Sequence, residues 1–144
     1  MSSAASPKRY EQLEHSGDIR IKVFGESLKN LYVNAGYALF DIITDAEKIK
    51  SELAETVEAS GNDREELIVN WLSELNYLYL TERKIFNKFE IDRLTETELS
   101  ATAIGEKFNP RHHKLKKEIK AVTFHDLEIQ QRAKHWETKI VFDI

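Results

Sequence analysis

Ile19-Arg20-Ile21-Lys22-Val23-Phe24-Gly25-Glu26-Ser27-Leu28-Lys29-Asn30-Leu31 contains the change of period from which the fold is read. Ile19, Ile21 and Val23 alternate with Arg20 and Lys22, the two-residue period of a strand with one buried face, and Gly25 ends the run. Ser27 then offers its hydroxyl as a helix N-cap. Beyond it Leu28, Leu31, Ala35, Leu39 and Ile42 recur every three or four residues as one apolar stripe. A stripe of this kind, delivered directly by a half-buried strand, predicts a helix lying on a sheet.

The same pattern recurs downstream. Leu53, Val57 and Ala59 sit at even spacing and predict a second strand over 53–59, which the Gly61-Asn62 turn ends. Asp63 followed three residues later by Glu66 is a capping-box pattern, and Leu67, Trp71, Leu75 and Leu78, widened by Ile68, Leu72 and Leu80, predict a second helix. That broad stripe points to contact with both a sheet and the first helix. Beyond Lys84 the pattern is strand-like over about 86–93, 99–105, 121–130 and 136–142. In the third of these Val122 and Phe124 are out of phase with Leu127 and Ile129, which predicts a bulge or bend near His125-Asp126. Two strand-helix-strand units and a mostly β carboxy-terminal half result, with residues 1–9 expected as a flexible segment and 10–144 as one domain.

Composition narrows the function. A chain of 144 residues, 41% hydrophobic, suits one core. With 21 basic and 25 acidic residues the formal charge is −4, which disfavours a stand-alone collector of nucleic acid. The absence of cysteine removes disulfides, thiolate metal sites and cysteine nucleophiles. The small, polar start does not read as a secretory signal, and the longest apolar-rich stretch, 28–43, is broken by Lys29, Asn30, Asn34 and Asp41, so a cytoplasmic, soluble protein is expected. Phosphate-binding glycine loops, nucleophile signatures and paired histidine helices are all missing at their required spacings.

Carboxylates and histidines therefore carry whatever chemistry there is. Asp41 and Asp45 end the first helix, where the macrodipole disfavours negative charge; either Lys48 and Lys50 compensate in solvent or a cation does. Asp18 reads as a turn residue on local pattern alone. Phe142-Asp143-Ile144 sets a side-chain carboxylate beside the terminal one, either as a solvated end or, if it meets Asp18 and the end of the first helix, as oxygen donors for Ca²⁺ or Mg²⁺. His15 is a candidate partner to such a site, and otherwise a structural group. His112 and His113 are neighbours, which face opposite ways in extended chain and make a poor two-ligand pair. Residues 106–120 read as a basic loop, in which Lys107, Arg111, Lys114, Lys116 and Lys117 are candidate contacts for a partner or for RNA, and otherwise solvated surface.

Three segments in order, Tyr10-Glu11-Gln12-Leu13-Glu14-His15-Ser16-Gly17-Asp18, Val69-Asn70-Trp71-Leu72-Ser73-Glu74-Leu75 and Ile119-Lys120-Ala121-Val122-Thr123-Phe124-His125, together with the final Val141-Phe142-Asp143-Ile144, resemble the archease family. Ser16-Gly17 stands where the family commonly has Thr-Ala, a change between small residues that leaves the turn intact. The resemblance implies an α/β sandwich of the α+β type, two layers with two helices on a mostly antiparallel sheet. It implies a non-enzymatic activator of the GTP-dependent, RtcB-type RNA ligase of tRNA splicing, promoting guanylylation and multiple turnover, with tRNA engaged indirectly. It also implies that Asp18, Asp45 and Asp143, with oxygen from Ile144, are the metal-binding positions. The alternative is an RNA-binding or tRNA-modification accessory protein acting through 107–120.

Overall fold

Ile19, Ile21 and Val23 do turn inward: all three are buried on strand β2 (Ile19–Gly25), and the alternation of the strand is kept along its whole length. The computed structural model describes residues 8–13, 17–123 and 127–144. Ser27 caps helix α1 (Leu28–Ile43) by accepting from the Asn30 amide at 3.1 Å. Gly25 is needed where strand meets helix, since a Cβ there would lie 2.3 Å from the Leu31 nitrogen. Asp63 caps helix α2 (Arg64–Glu82) through the Glu66 amide at 2.8 Å, while the Glu66 carboxylate reaches back one residue further than a standard capping box, to the Asn62 amide at 3.0 Å.

The strands form two antiparallel sheets where one was expected. Strands β1 (Tyr10–Leu13), β2, β8 (Trp136–Asp143) and β6 (Ala121–Thr123) lie in that order, with β7 (Gln130–Gln131) also on β8. The second sheet runs β3 (Leu53–Ser60), β5 (Glu98–Lys107), β4 (Lys84–Leu94). Because β3 and β4 each pair antiparallel to β5, the unit β3-α2-β4 is a split crossover with β5 between its strands. The expected strand over 121–130 is shorter than its pattern promised: its described parts are β6 and β7, and the bend expected at His125-Asp126 falls outside the described residues. Strand β1 was not anticipated, for Tyr10-Glu11-Gln12-Leu13 has no clean alternation.

Helix α1 bridges the two sheets by contacting β2 and β4, and α2 covers β3 and reaches β6. The helices meet where the buried Trp71 donates its indole N–H to the Tyr32 carbonyl at 2.9 Å. Phe89 sits edge-on to Trp71 and stacked with Phe40, so one aromatic cluster joins both helices to β4. Phe86 and Phe89 can both face it because the β4 ladder slips between Phe86 and Lys88, making Asn87 the extra residue of a bulge. Among the described residues no helix is long and apolar enough to cross a membrane.

Candidate functional site: an acidic end strapped by a basic loop

The β2–β8 ladder sets Ile19 opposite Phe142, so Asp18 and Asp143 are the next opposed positions at that end. Asp45 follows α1 at the head of a 3₁₀ turn (Ala46–Lys48). The ladder thus brings Asp18 and Asp143, far apart in sequence, to one end of the sheet, while the loop after β5 touches both Thr44, beside Asp45, and Asp143. Ile144 follows Asp143 there and is exposed. His15 lies outside the described residues.

Each acid has different surroundings. Arg20 Nε donates to Asp18 Oδ1 at 3.3 Å. Lys48 Nζ stands 3.8 Å from Asp45 Oδ2, both side chains largely in water, which makes the pair worth little. Asp143 takes part through its main chain, accepting from the Lys120 amide at 2.8 Å, and its side chain is exposed. Asp41 plays another role. It accepts from the Tyr10 hydroxyl at 2.6 Å and from the Ala46 amide at 3.1 Å, pinning β1 and the 3₁₀ turn to the end of α1. Burial, reinforced by that carboxylate, pushes the Tyr10 phenol far above its ordinary value and keeps it a donor. Lys48 and Lys50 are therefore not what compensates Asp41.

The 3₁₀ turn itself is held from β4. The bulged Asn87 gives both amide hydrogens to it, one to the Ala46 carbonyl at 2.9 Å and one to the Ile49 carbonyl at 3.0 Å. The bulge that keeps two phenylalanines in the core thereby aims an amide at the turn carrying Asp45.

The loop after β5 crosses the same end. Thr44 Oγ1 donates to the Lys114 carbonyl at 2.7 Å, the Lys116 amide donates to the Ile43 carbonyl at 2.7 Å, and Asn76 Nδ2 donates to the Ile119 carbonyl at 2.8 Å. Lys116 Nζ adds a bond to the Asp41 carbonyl at 2.7 Å, so its charge lies on the negative end of the α1 dipole. These contacts fasten the backbone and leave the side chains of Lys107, Arg111, Lys114 and Lys117 exposed. His112 and His113 separate as their spacing required. His112 is exposed, whereas His113 is buried, with Nδ1 accepting from the Asn109 amide at 2.8 Å and Nε2 therefore donating to Glu106 at 2.9 Å. Glu106 also accepts from the Lys50 amide at 2.7 Å. Burial pushes its carboxyl up, but the Lys50 amide and His113 outweigh that and hold it below the usual range.

Chemically, the acidic end offers hard oxygen donors, the kind Ca²⁺ and Mg²⁺ prefer. Among the described residues no three Asp, Glu or His side chains come close enough together to hold an ion by themselves. The donor types fit a hard cation, and a complete coordination shell would draw on Ile144 and main-chain oxygen as well.

The sequence profile of the Archease protein family matches residues 10–144. The chain belongs to the archease family. Among archeases it is 40% identical to the protein from Methanosarcina mazei over 141 residues, 95% of this chain and 97% of that one. The archease of Pyrococcus abyssi is 37% identical over 142 residues, covering 95% and 99%. The solution structure of Methanobacterium thermoautotrophicum protein 1598 superimposes with a TM-score of 0.76 at 28% identity, covering 94% of this chain and 99% of that one. A crystal structure from Thermotoga maritima, described as an archease and possible chaperone, has the same fold, with a TM-score of 0.65 at 21% identity and full coverage of both chains. The archease fold thus accounts for both sheets.

Sequence reasoning missed Asn87 and the Glu106–His113 pair. For Asn87 a signal existed, since Phe86 and Phe89 cannot share a strand face without an extra residue between them. For Glu106 and His113 there was none, because an acid in a basic loop reads as surface until its partners are seen.

Proposed function

We propose that this archease is a non-enzymatic activator of the GTP-dependent, RtcB-type RNA ligase of tRNA splicing, acting in the cytoplasm to promote ligase guanylylation and repeated turnover. The observation that carries this reading is the family match over residues 10–144. The acidic end agrees with it. That end gathers carboxylates and lysines, and His113, which could have served as a base, is buried with both ring nitrogens engaged. A surface of this kind can place charge against a partner's active site without making or breaking a bond itself.

Asp18, Asp45 and Asp143, with oxygen from Ile144, would hold a Ca²⁺ or Mg²⁺ ion, which when bound supplies positive charge toward phosphoryl oxygens. The rest of the work falls to the chain: Asn87 and Asp41 hold the turn that carries Asp45, and the 114–120 strap fixes the end of β8 that carries Asp143. Transfer of GMP to the cognate ligase is the test, comparing the ligase alone, with this protein, and with its Asp143→Ala variant. Stimulation by the wild type and its loss in a normally folded variant is the expected result. Failure of the wild type to stimulate its cognate ligase overturns the reading.

A further inference from the structure

The cations of this chain are unevenly used. Lys8, Lys22, Arg64, Arg83, Lys84, Arg93 and Arg132 are all ion-paired. In contrast Lys107, Arg111, Lys114 and Lys117 have no ion pair among the described residues, and Lys116 spends its ammonium on a neutral carbonyl. Of these, Lys107, Lys114 and Lys116 line two adjoining depressions, of about 900 Å³ and 210 Å³, which share Lys48, His112 and His113 as a common wall. Together they are lined by five lysines, Lys48, Lys50, Lys107, Lys114 and Lys116, against Asp45, Glu52 and Glu106. Of these acids Glu106 is already consumed by the Lys50 amide and His113. Asp45 has Lys48 beside it, which leaves Lys50, Lys107, Lys114 and Lys116 without a carboxylate partner among the described residues, along one open trough of a chain with a net charge of −4.

We infer that this trough binds the phosphate backbone of RNA, independently of base sequence. Its shape and lining favour that occupant. It is rimmed by long cationic side chains on a backbone anchored by Thr44, Asn76 and the Ile43 carbonyl, so the lysines stay on one face while their ammonium groups adapt to a phosphate chain. The rings in its lining are Phe108, half-buried against Tyr79 and His113, the buried His113 and the exposed His112, too few to stack a run of bases. Its apolar lining is confined to Leu53, Phe108 and Pro110, less than the aromatic and aliphatic cluster that centres a protein interface. The inference does not rest on the ligase reading, since RNA binding can be measured with no ligase present.

The test is fluorescence anisotropy of a labelled single-stranded oligouridylate with the full chain, titrated from 50 to 200 mM salt. Four phosphates neutralised by the trough would weaken binding roughly 50-fold across that range. The double variant Lys107→Glu/Lys114→Glu should bind at least about tenfold more weakly at 50 mM and show a shallower salt dependence. Lys29→Glu/Lys139→Glu, an equal charge change at exposed sites elsewhere, should change affinity less than about threefold. Equal loss in both variants, or no binding at 50 mM by the wild type, overturns the inference. So does displacement of the oligonucleotide by GTP at matched phosphate concentration, which would make the trough a nucleotide site, or by polyglutamate, which would make it a site for an acidic protein.

Discussion

The two ends of the β2–β8 ladder treat carboxylates in opposite ways. At the Gly25 end, Glu137 stands opposite Phe24, is only 8% exposed, and accepts from His135 at 2.8 Å, Lys22 at 3.2 Å and Arg132 at 3.3 Å. His135 first, then Arg132 and Lys22, overcome its burial and hold the Glu137 carboxyl down to about 2. At the other end the Asp143 side chain faces water and Asp45 has only the loose, exposed Lys48 beside it. A carboxylate surrounded by three donors contributes to stability; exposed acids such as Asp45 and Asp143 are free to serve something outside the chain.

The sharpest way to break this contrast is Glu137→Ala, which leaves three donors facing an empty site. It should cost about 2–3 kcal/mol in urea unfolding. A cost near zero would mean that the end is held by the ladder alone. The same group sets an acid limit. Its folded carboxyl lies at about 2, below the ordinary 4.5, so the unfolded chain takes up the proton first. Its contribution is present above about pH 4.5 and is lost as pH falls toward 2. Glu137→Gln should flatten that part of the stability curve. Asn87→Ala comes next, at about 1–2 kcal/mol, because two carbonyls of the 3₁₀ turn lose their donor. It should also reduce ligase stimulation, through Asp45, more than an equally destabilising change near Glu137. Smallest is Asp143→Asn, expected within about 0.5 kcal/mol of wild type in unfolding, yet abolishing stimulation. A marked loss of stability there would place Asp143 with the structural acids.

Local signals in the sequence were reliable where the structure they specify is local. Ser27 and Asp63 cap the helices they were expected to cap, and the stripes from Leu28 and from Leu67 face inward, except Leu80, which was expected to widen the second stripe and is exposed. What could not be read was pairing between distant strands. Nothing near Leu53 or Ile19 says that they belong to different sheets, because that division depends on α1 contacting both at once. The site divides in the same way. Asp18, Asp45 and Asp143 were noticed individually, but only the ladder sets Asp18 opposite Asp143. That the basic loop straps that end was not visible either, since its anchors are mostly main-chain groups, which carry no side-chain signature.

Strand β8 lies inside its sheet, with β2 along one edge and β6 and β7 along the other, although it is formed from residues 136–143. During synthesis β2 is made long before the strand that joins it to β6, so it waits with an open edge in the nascent chain. The pairing of Asp18 with Asp143 consequently has to wait for β8. A ribosome that stalls before residue 136 releases a chain with neither a closed sheet nor Asp143, so an incompletely translated copy has no finished acidic surface to offer a partner.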